Sequence, residues 1–310
     1  MNTLFSDKLI ERLPQVEGTY EENVALSSKT WFRVGGPAEV FYRPRNEDDL
    51  VHFLQNKPAN VPITVIGVGS NVLVRDGGIP GVVIKLSGGF SGYRMEGEVL
   101  HAGAATPDIK IALSMQEEGI GGLEFLRGVP GTLGGAVRMN AGAYGAEIAD
   151  VFVACIAVDP DGERHPMGAD DVSFSYRHSS VPEDWIITRI ALQGAKADPK
   201  IIAERMADIS DSREESQPTK SRTGGSTFKN PPSAKAWELI DQAGCRGLRF
   251  GDAQISELHC NFMINLGAAK ASELEQLGEE VRKRVQADSG ISLEWEIRII
   301  GEAAPDGRAA

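Results

Sequence analysis

A glycine-rich run is the feature that most constrains what this chain can fold into. Residues 128–145 read GVPGTLGGAVRMNAGAYG, with six glycines in eighteen positions. Glycine loses the most conformational entropy on folding, so a folded protein places it where backbone approaches something closely or takes a positive φ. A flexible linker is rich in Ser or Pro, whereas this run carries apolar residues such as Leu133 and Val137. The run therefore predicts packed backbone against a bulky ligand, with a merely irregular loop as the alternative.

Composition limits the classes of protein to which the chain can belong. Its 310 residues fit two domains or three small ones, and its hydrophobic fraction of 41% is typical of a soluble globular protein. The net charge of −12, without a dense Lys/Arg cluster, argues against nucleic-acid binding. The sequence has neither a secretory h-region nor a long apolar run, so we expect a cytoplasmic protein without a membrane partner. The three cysteines lack zinc spacing, so we expect them to be reduced and buried, and we expect no metal site.

Periodicity and turn residues predict alternating helices and strands, and hence a mixed α/β or α+β architecture. Helices are expected to follow the caps Asn46, Thr106 and Ser233, the pair Asp198-Pro199, and a capping box from Ser272 to Glu275. Strands are expected over 61–66, 81–86, 151–158, 185–192, 261–266 and 291–300. The polar, irregular segment 213–225 is the predicted domain boundary.

A second glycine-containing segment, Gly67-Val68-Gly69-Ser70-Asn71, follows the strand predicted over 61–66. It lacks the third glycine of a dinucleotide fingerprint and the Gly-Lys-Ser/Thr of a P-loop. Its backbone N–H groups suit a phosphate, and a tight turn is the alternative. Taken together with the run at 128–145, it favours a site for the pyrophosphate and ring of a dinucleotide.

Three further segments carry side chains suited to chemistry. In GGSTFKNP (224–231) two glycines expose Ser226, although a surface turn is the simpler interpretation. The sequence contains no GxSxG elbow, so it does not indicate a hydrolase nucleophile. Alternation in the last predicted strand places Glu294, Glu296 and Arg298 on one face, as a solvated surface or a carboxylate site. Periodicity does not choose between the two acids. Arg177, within FSYRHS, suits either a bound carboxylate or a surface ion pair.

In their order along the chain, these segments resemble the UDP-N-acetylenolpyruvoylglucosamine reductase family, flavoenzymes of peptidoglycan precursor synthesis. The resemblance runs from TWFRVGG at Thr30 to IIGE at Glu302 and passes through GVGSNVLVRDGG, GVPGTLGGAVRMNAGAYG, SYR, GGSTFKNP and LEWEIRIIG. It implies an α+β fold, with an FAD-binding PCMH (vanillyl-alcohol-oxidase) type domain of two subdomains and a C-terminal α+β substrate-binding domain. The expected bounds are an N-terminal helical segment 1–28, an FAD-binding domain 29–212 (subdomains about 29–95 and 96–212) and a substrate domain 213–310.

The resemblance also implies an activity and a cofactor. The family reduces UDP-N-acetylglucosamine enolpyruvate to UDP-N-acetylmuramate, with FAD as cofactor and NADPH as co-substrate. Hydride passes from flavin N5 to the enolpyruvyl C3. Arg177 and Glu296 are then expected to stabilise the developing charge, and Ser226 to deliver a proton to C2. Under this resemblance the glutamate is the second acid of LEWE. The partner is a small nucleotide-sugar, and we expect a monomer.

The resemblance assigns binding residues as well. The expected FAD contacts are Gly67, Gly69, Ser70, Asn71, Val129, Pro130, Gly131, Thr132, Gly134, Gly135, Ala136, Asn140, Ala141 and Gly142. The expected substrate contacts are Lys229, Asn230, His259 and Asn261.

Two departures and two alternatives accompany the resemblance. One branch of the family closes a Tyr-bearing loop over the substrate, but no Tyr lies between Arg177 and the strand near Trp185, so the chain resembles the branch without that loop. The segment SRTGGS replaces the more usual PSAGS, which leaves a role for Arg222 toward an anion open. The alternatives are another FAD oxidoreductase of the same fold, acting on a small alcohol or sugar, and a flavin-free nucleotide-sugar binding module.

Overall fold

The computed structural model describes residues 8–305, which divide into two compact units. The first unit holds residues 8–22, 40–67 and 81–212, and the second holds 23–39, 68–80 and 213–305. Two segments from the N-terminal part of the chain thus belong to the second unit. The domain bounds expected from the sequence treat each domain as continuous, and they remain predictions.

Helices and strands are mixed along the described chain, as expected. The α-helices are α1 Leu9–Arg12, α2 Glu47–Asn56, α3 Asp108–Glu117, α4 Leu133–Arg138, α5 Ile148–Val151, α6 Pro199–Ser216, α7 Ala236–Gln242 and α8 Ala271–Ser289. The strands are β1 Thr19–Ala25, β2 Pro37–Arg43, β3 Ile63–Val65, β4 Val72–Val74, β5 Ile79–Ile84, β6 Tyr93–Glu96, β7 Val99–Gly103, β8 Ile120–Gly121, β9 Gly142–Ala143, β10 Ala146–Glu147, β11 Phe152–Val158, β12 Arg164–Gly168, β13 Phe174–Ser175, β14 His178–Ser179, β15 Ile186–Gln193, β16 Ala195–Lys196, β17 Arg222–Ser226, β18 Arg249–Phe250, β19 Ala253–Ile255, β20 Phe262–Asn265 and β21 Arg298–Ile300.

The first unit is built on two sheets, each with its own core. The antiparallel sheet β12-β11-β15-β7-β6 packs with α3 and α4 around Leu100, Ile111 and Leu133. The sheet β1-β2-β5-β3, in which β3 and β5 are parallel, belongs with a core that includes Tyr42 and Phe53. Separate cores in one unit are what two subdomains require.

The second unit contains the antiparallel sheet β17-β20-β19-β18 and the parallel pair β21-β4. Its core joins Phe32, Phe228 and Leu277. Helix α8 comes so close to Trp295 that a Cβ on Gly278 would lie 2.0 Å from the indole Cη2. Glycine is therefore required at this contact between the helix and the residues before β21.

Most of the predicted elements are present, but several of the predicted caps are wrong. The Asn46 side chain caps α2 by accepting from the Asp49 N–H, as predicted. Helix α3 begins where expected, yet Thr106 Oγ1 bonds to the backbone of Gly92 instead of capping the helix. The N-termini of α7 and α8 have other caps than those predicted: Asn230, six residues upstream, accepts from Ala236 N–H in α7, and the distant Asp76 accepts from the N–H groups of Ala271 and Ser272 in α8.

Three further predictions differ from the structure. The segment predicted as helical up to residue 28 has only α1 and a short 3₁₀ turn as helix within residues 8–28, and β1 occupies its second half. The polar stretch 213–225 is not wholly irregular, because α6 continues to Ser216 and β17 starts at Arg222. The last strand, predicted over residues 291–300, covers only Arg298–Ile300. No helix within residues 8–305 combines the length and apolarity needed to cross a membrane, and Cys155, Cys245 and Cys260 are free and buried.

Candidate active site

The two glycine-containing segments meet in the first unit. A Cβ on Gly67 would lie 3.2 Å from Oγ1 of Thr132, the residue before α4. Gly135, in the first turn of α4, is exposed and has open space beside its Cα, so a side chain there would project into that space. We call Gly67, Thr132 and Gly135 the cradle: its two glycines are exposed and lack side chains, which suits the close approach of a bulky cofactor such as FAD.

Most other glycines of the run are explained by packing within the protein. A Cβ would lie 2.9 Å from the Tyr144 ring at Gly128, 2.8 Å from Asp108 Oδ2 at Gly131 and 2.9 Å from the Ala104 Cβ at Gly134. At Gly142 it would lie 2.7 Å from the Cβ of Glu147, across the β9–β10 hairpin. The run is therefore close-packed backbone, as predicted, but most of its close neighbours belong to the chain itself.

The remaining FAD candidates of the run differ in accessibility. Val129 and Pro130 are half-buried and border the cradle in sequence. Ala136 and Ala141 are 2% exposed and belong to the core, so only their backbone is available to a ligand. Asn140 is completely buried, and both ends of its amide bond to protein backbone. These bonds give the side chain a packing role within the protein, and the contact of Asn140 with FAD stays a prediction.

Gly69, Ser70 and Asn71 belong to the second unit. Gly69 has φ +72°, and a Cβ there would lie 2.4 Å from the carbonyl oxygen of Lys29, so a protein neighbour already requires this glycine. Ser70 and Asn71 are half-buried. The Asn71 Nδ2 donates to the backbone carbonyl of Glu296 at 3.1 Å, which places this segment beside a predicted catalytic acid.

Arg177 occupies the two-residue turn of the β13–β14 hairpin in the first unit. Ser175 pairs with His178 across the turn, and Arg177 has φ +57°, a left-handed conformation that is uncommon for a residue with a side chain. Its guanidinium lies 5.0 Å from the ring centroid of Tyr176, and its Nη2 contacts the Gly142 carbonyl at 3.5 Å. An uncommon conformation held in this way is a pointer to function.

Ser226 and Glu296 lie on neighbouring backbone segments of the second unit. The register between β17 and β20 shifts after Thr223, and Gly225, with φ +79°, leads into Ser226, which pairs with Phe262. A bulge of this kind redirects a side chain at the end of a strand. The Glu296 N–H donates to the carbonyl oxygen of Thr227 at 2.9 Å, so the two predicted catalytic residues are brought together.

The four predicted substrate residues surround the same backbone. Lys229 Nζ pairs with Glu294 at 3.4 Å, which separates the two acids of the last segment: Glu294 binds the lysine, while Glu296 lies beside Thr227. Asn230 is exposed and caps α7. The His259 Nδ1 accepts from the Asn261 N–H, and burial lowers the pKa of this histidine. The ring is therefore neutral near pH 7 and carries its proton on Nε2.

Asn261, the fourth of these residues, bonds to the backbone beside Ser226. Its side chain is 4% exposed, accepts from the Phe228 N–H at 2.9 Å and donates to the Phe228 carbonyl at 2.8 Å. Both ends of the amide thus hold the backbone that follows Ser226, and a contact of Asn261 with the substrate stays a prediction.

Asp108 was not singled out from the sequence as a site residue. It is completely buried beside Gly131, and neither carboxylate oxygen has a hydrogen-bond partner among residues 8–305. Burial raises the pKa of this carboxyl well above its ordinary range. The sequence signal, an acid at the start of an amphipathic helix, is also typical of exposed helix ends.

One group of potential metal ligands occurs among the described residues, formed by Asp159, Glu163 and His165. The Asp159 carboxylate accepts from the backbone N–H groups of Asp161 and Glu163 and lies 2.8 Å from His165 Nε2. These contacts account for the carboxylate as the anchor of the turn between β11 and β12.

Comparison with known proteins identifies the family. Residues 217–300 match the UDP-N-acetylenolpyruvoylglucosamine reductase C-terminal domain, and residues 38–168 match an FAD binding domain. A UDP-N-acetylenolpyruvoylglucosamine reductase of Parvibaculum lavamentivorans is 54% identical over 293 residues, which cover 94% of each chain. The chain belongs to the UDP-N-acetylenolpyruvoylglucosamine reductase family.

Two further members of the UDP-N-acetylenolpyruvoylglucosamine reductase family agree. The enzyme of that name from Azorhizobium caulinodans is 53% identical over 94% of this chain and 95% of its own length. The crystal structure of the Thermus caldophilus enzyme matches with a TM-score of 0.80 and 36% identity, covering 92% of this chain and 99% of that one. The predicted family, the α+β fold with a PCMH-type FAD-binding domain, and the predicted FAD-dependent oxidoreductase are confirmed. The roles of single residues remain predictions, as do the monomeric state and the branch without the Tyr loop.

Proposed function

We propose that this chain reduces UDP-N-acetylglucosamine enolpyruvate to UDP-N-acetylmuramate with NADPH, in the cytoplasmic synthesis of peptidoglycan precursors. The observation that carries the proposal is the hydrogen bond from the Glu296 N–H to the carbonyl of Thr227, the residue after Ser226, which brings the backbone of the two proposed catalytic residues together. A hydroxyl beside a carboxyl group supplies a proton donor and a charged or hydrogen-bonding neighbour at one reacting centre.

When bound, FAD supplies a carrier that takes hydride from NADPH and gives it to C3 of the enolpyruvyl group. The chain's own contribution to this cofactor is the cradle of Gly67, Thr132 and Gly135, in which two residues lack a side chain and the third offers a hydroxyl. NADPH and the nucleotide-sugar are proposed to bind one after the other at the same site beside the flavin.

Ser226 is proposed to donate the proton that C2 of the substrate needs. A serine hydroxyl is a weak acid in water, so it protonates carbon only in a preorganised site and against a strongly basic carbanion. The half-buried position of Ser226, fixed by the bulge and by pairing with Phe262, provides this placement.

Arg177 and Glu296 are proposed to stabilise the negative charge that develops at C2 and at the substrate carboxylate. The guanidinium has a planar set of donors that matches a carboxylate, and its place over the Tyr176 ring limits its rotation. Glu296 acts on the same charge as a protonated hydrogen-bond donor.

Lys229, Asn230 and His259 are proposed to contact the nucleotide-sugar. An anionic diphosphate competes with Glu294 for Lys229, whose ion pair is surface-exposed and therefore weak. The neutral His259 offers its Nε2 proton to an acceptor, since Nδ1 already accepts from Asn261.

The test is NADPH consumption by the purified, FAD-loaded protein with and without the enolpyruvyl substrate. We expect a yellow protein whose NADPH oxidation is strongly accelerated by the substrate, with UDP-N-acetylmuramate as the product. An oxidase of a small alcohol or sugar would show no such acceleration, and a flavin-free binding module would be colourless and reject FAD. Either of these results contradicts the proposal.

A further inference from the structure

An asparagine side chain bonds to the backbone next to each of the three proposed catalytic residues. Asn140 Nδ2 donates to the Ser175 carbonyl, two residues before Arg177. Asn71 Nδ2 donates to the carbonyl of Glu296 itself. Asn261 bonds to the backbone of Phe228, two residues after Ser226, through both its Oδ1 and its Nδ2.

We propose that Asn140 and Asn71 are positioning residues, through which the two glycine-containing segments of the cofactor site fix Arg177 and Glu296. The inference rests on the proposed function for the roles of those two residues. It assigns to both segments a second task beside cofactor binding, one that their side chains perform while their glycines form the cradle.

The contacts of Asn140 suit it to this positioning task. It is 0% exposed, its Nδ2 lies 3.1 Å from the Ser175 carbonyl oxygen, and its Oδ1 accepts from the Ala149 N–H at 3.0 Å. Its φ of +44° is a conformation that asparagine adopts more readily than most residues with a side chain. The run therefore keeps an asparagine where backbone conformation and both hydrogen bonds require one.

The hairpin that carries Arg177 needs such an anchor. Strands β13 and β14 have two residues each, and an isolated short hairpin is at best marginally stable. A second connection to the run comes from Ser179, whose hydroxyl donates to the Arg138 carbonyl at 3.0 Å. The Arg138 guanidinium in turn donates to the carbonyls of Val181, Pro182 and Trp185, which follow the hairpin.

In the second unit, Asn71 holds the backbone at Glu296 in a similar way. Glu296 precedes β21, so the regular parallel pairing of β21 with β4, which begins with Arg298 opposite Val72, does not include it. The Asn71 carbonyl accepts from Arg298 N–H at 3.0 Å, and its side chain donates to the Glu296 carbonyl at 3.1 Å. The side-chain bond of Asn71 thus fixes the backbone two residues before Arg298, at the proposed catalytic acid.

The test uses Asn140→Asp and Asn71→Asp, which keep the shape of the side chain and replace the donor by an oxygen facing a carbonyl. Rapid mixing separates flavin reduction by NADPH from reoxidation by the enolpyruvyl substrate. We expect reoxidation to slow about 100-fold in each variant, because a displacement of about 1 Å costs that much. With FAD at saturating concentration, flavin reduction by NADPH should change less than about threefold, since that step is proposed to use neither Arg177 nor Glu296. Asn23→Asp, at an exposed asparagine with φ +53°, is the matched control and should behave as wild type.

A second readout needs neither cofactor nor substrate. Amide hydrogen exchange of residues 174–180 in the FAD-free chain should be faster in Asn140→Asp than in wild type, by more than the lowered free energy of unfolding of the variant, measured by urea denaturation, accounts for. Should Asn140→Asp fail to fold, Asn140→Gly accepts the same φ, removes both bonds, and should show the same exchange. Unchanged exchange overturns the proposal for Asn140, as do equal losses in both half-reactions or an unaffected reoxidation rate.

Failure of the inference is distinguishable from failure of the proposed function. If wild type is not reoxidised by the enolpyruvyl substrate, the proposed function is wrong, while the exchange experiment still decides whether Asn140 holds the hairpin. If wild type is reoxidised and Asn71→Asp reacts equally fast, Asn71 does not position Glu296.

Discussion

At the scale of single residues, burial decides the protonation state of the Asp108 carboxyl. Its N–H donates to the Gly131 carbonyl at 3.2 Å, and its carboxyl lies inside the core of the first unit with no hydrogen-bond partner among residues 8–305. An ionised carboxylate without a partner is very costly there, so the group stays protonated. The glycine run therefore lies on a neutral acid, which does not repel an anionic cofactor.

The raised pKa of Asp108 predicts an unusual dependence of stability on pH. The folded chain keeps a proton that the unfolded chain releases above the ordinary Asp pKa of about 3.9, so this residue's contribution to stability is present below that pH and is lost as pH rises. Asp108→Asn removes the titration. We expect the free energy of unfolding of the variant, relative to wild type, to increase with pH, as measured by urea denaturation of the FAD-free protein. A difference that stays constant from acid to neutral pH would show that the Asp108 carboxyl titrates normally.

At the scale of elements, helix α4 has two adjacent glycines with different roles: Gly134 is needed for packing, and Gly135 is proposed to leave room for a ligand. A Cβ on Gly134 would lie 2.9 Å from that of Ala104, whereas one on Gly135 would meet nothing within 4 Å. Gly135→Ala should keep or raise the stability of the FAD-free protein, because alanine favours a helix by about 1 kcal/mol. It should weaken FAD binding, because its methyl group enters the cradle.

Gly134→Ala is the matched variant, and we expect it to lower the stability of the FAD-free protein by about 1–3 kcal/mol through overpacking. Thermal unfolding and quenching of flavin fluorescence on binding measure the two effects. Unchanged FAD affinity in Gly135→Ala would place the cofactor away from this turn.

The elements also show what local sequence could and could not predict. Helix α2 and its cap Asn46 were predictable, because all the groups involved lie within four residues. The starts of α7 and α8 were predicted with the wrong caps: Asn230 caps α7 from beyond the usual capping position, and Asp76 reaches α8 from another part of the chain. Period-two alternation continued through residues 291–300, but pairing with β4 begins only at Arg298. Periodicity describes which side chains are apolar and does not reveal where a partner strand ends.

For the whole molecule, the order of its motifs predicted the family, the fold and the cofactor, and comparison with known proteins confirms these three. Position along the chain could not predict that residues 23–39 and 68–80 join the C-terminal unit. That arrangement places Asn71 beside Glu296, although more than two hundred residues separate them in sequence. The contact that holds the proposed catalytic acid is therefore a product of tertiary structure.

The central claim, that the chain is a reductase in which Ser226 delivers a proton to the substrate, predicts a separation of the two half-reactions. Ser226→Ala should leave the rate of flavin reduction by NADPH nearly unchanged, because that step needs no proton from this hydroxyl. It should slow reduction of the enolpyruvyl substrate by about 10³-fold, within the range for loss of a general acid. Single-turnover flavin absorbance, followed without oxygen, measures both rates in one sample. Equal loss in the two half-reactions, or no loss in the second, would contradict this account.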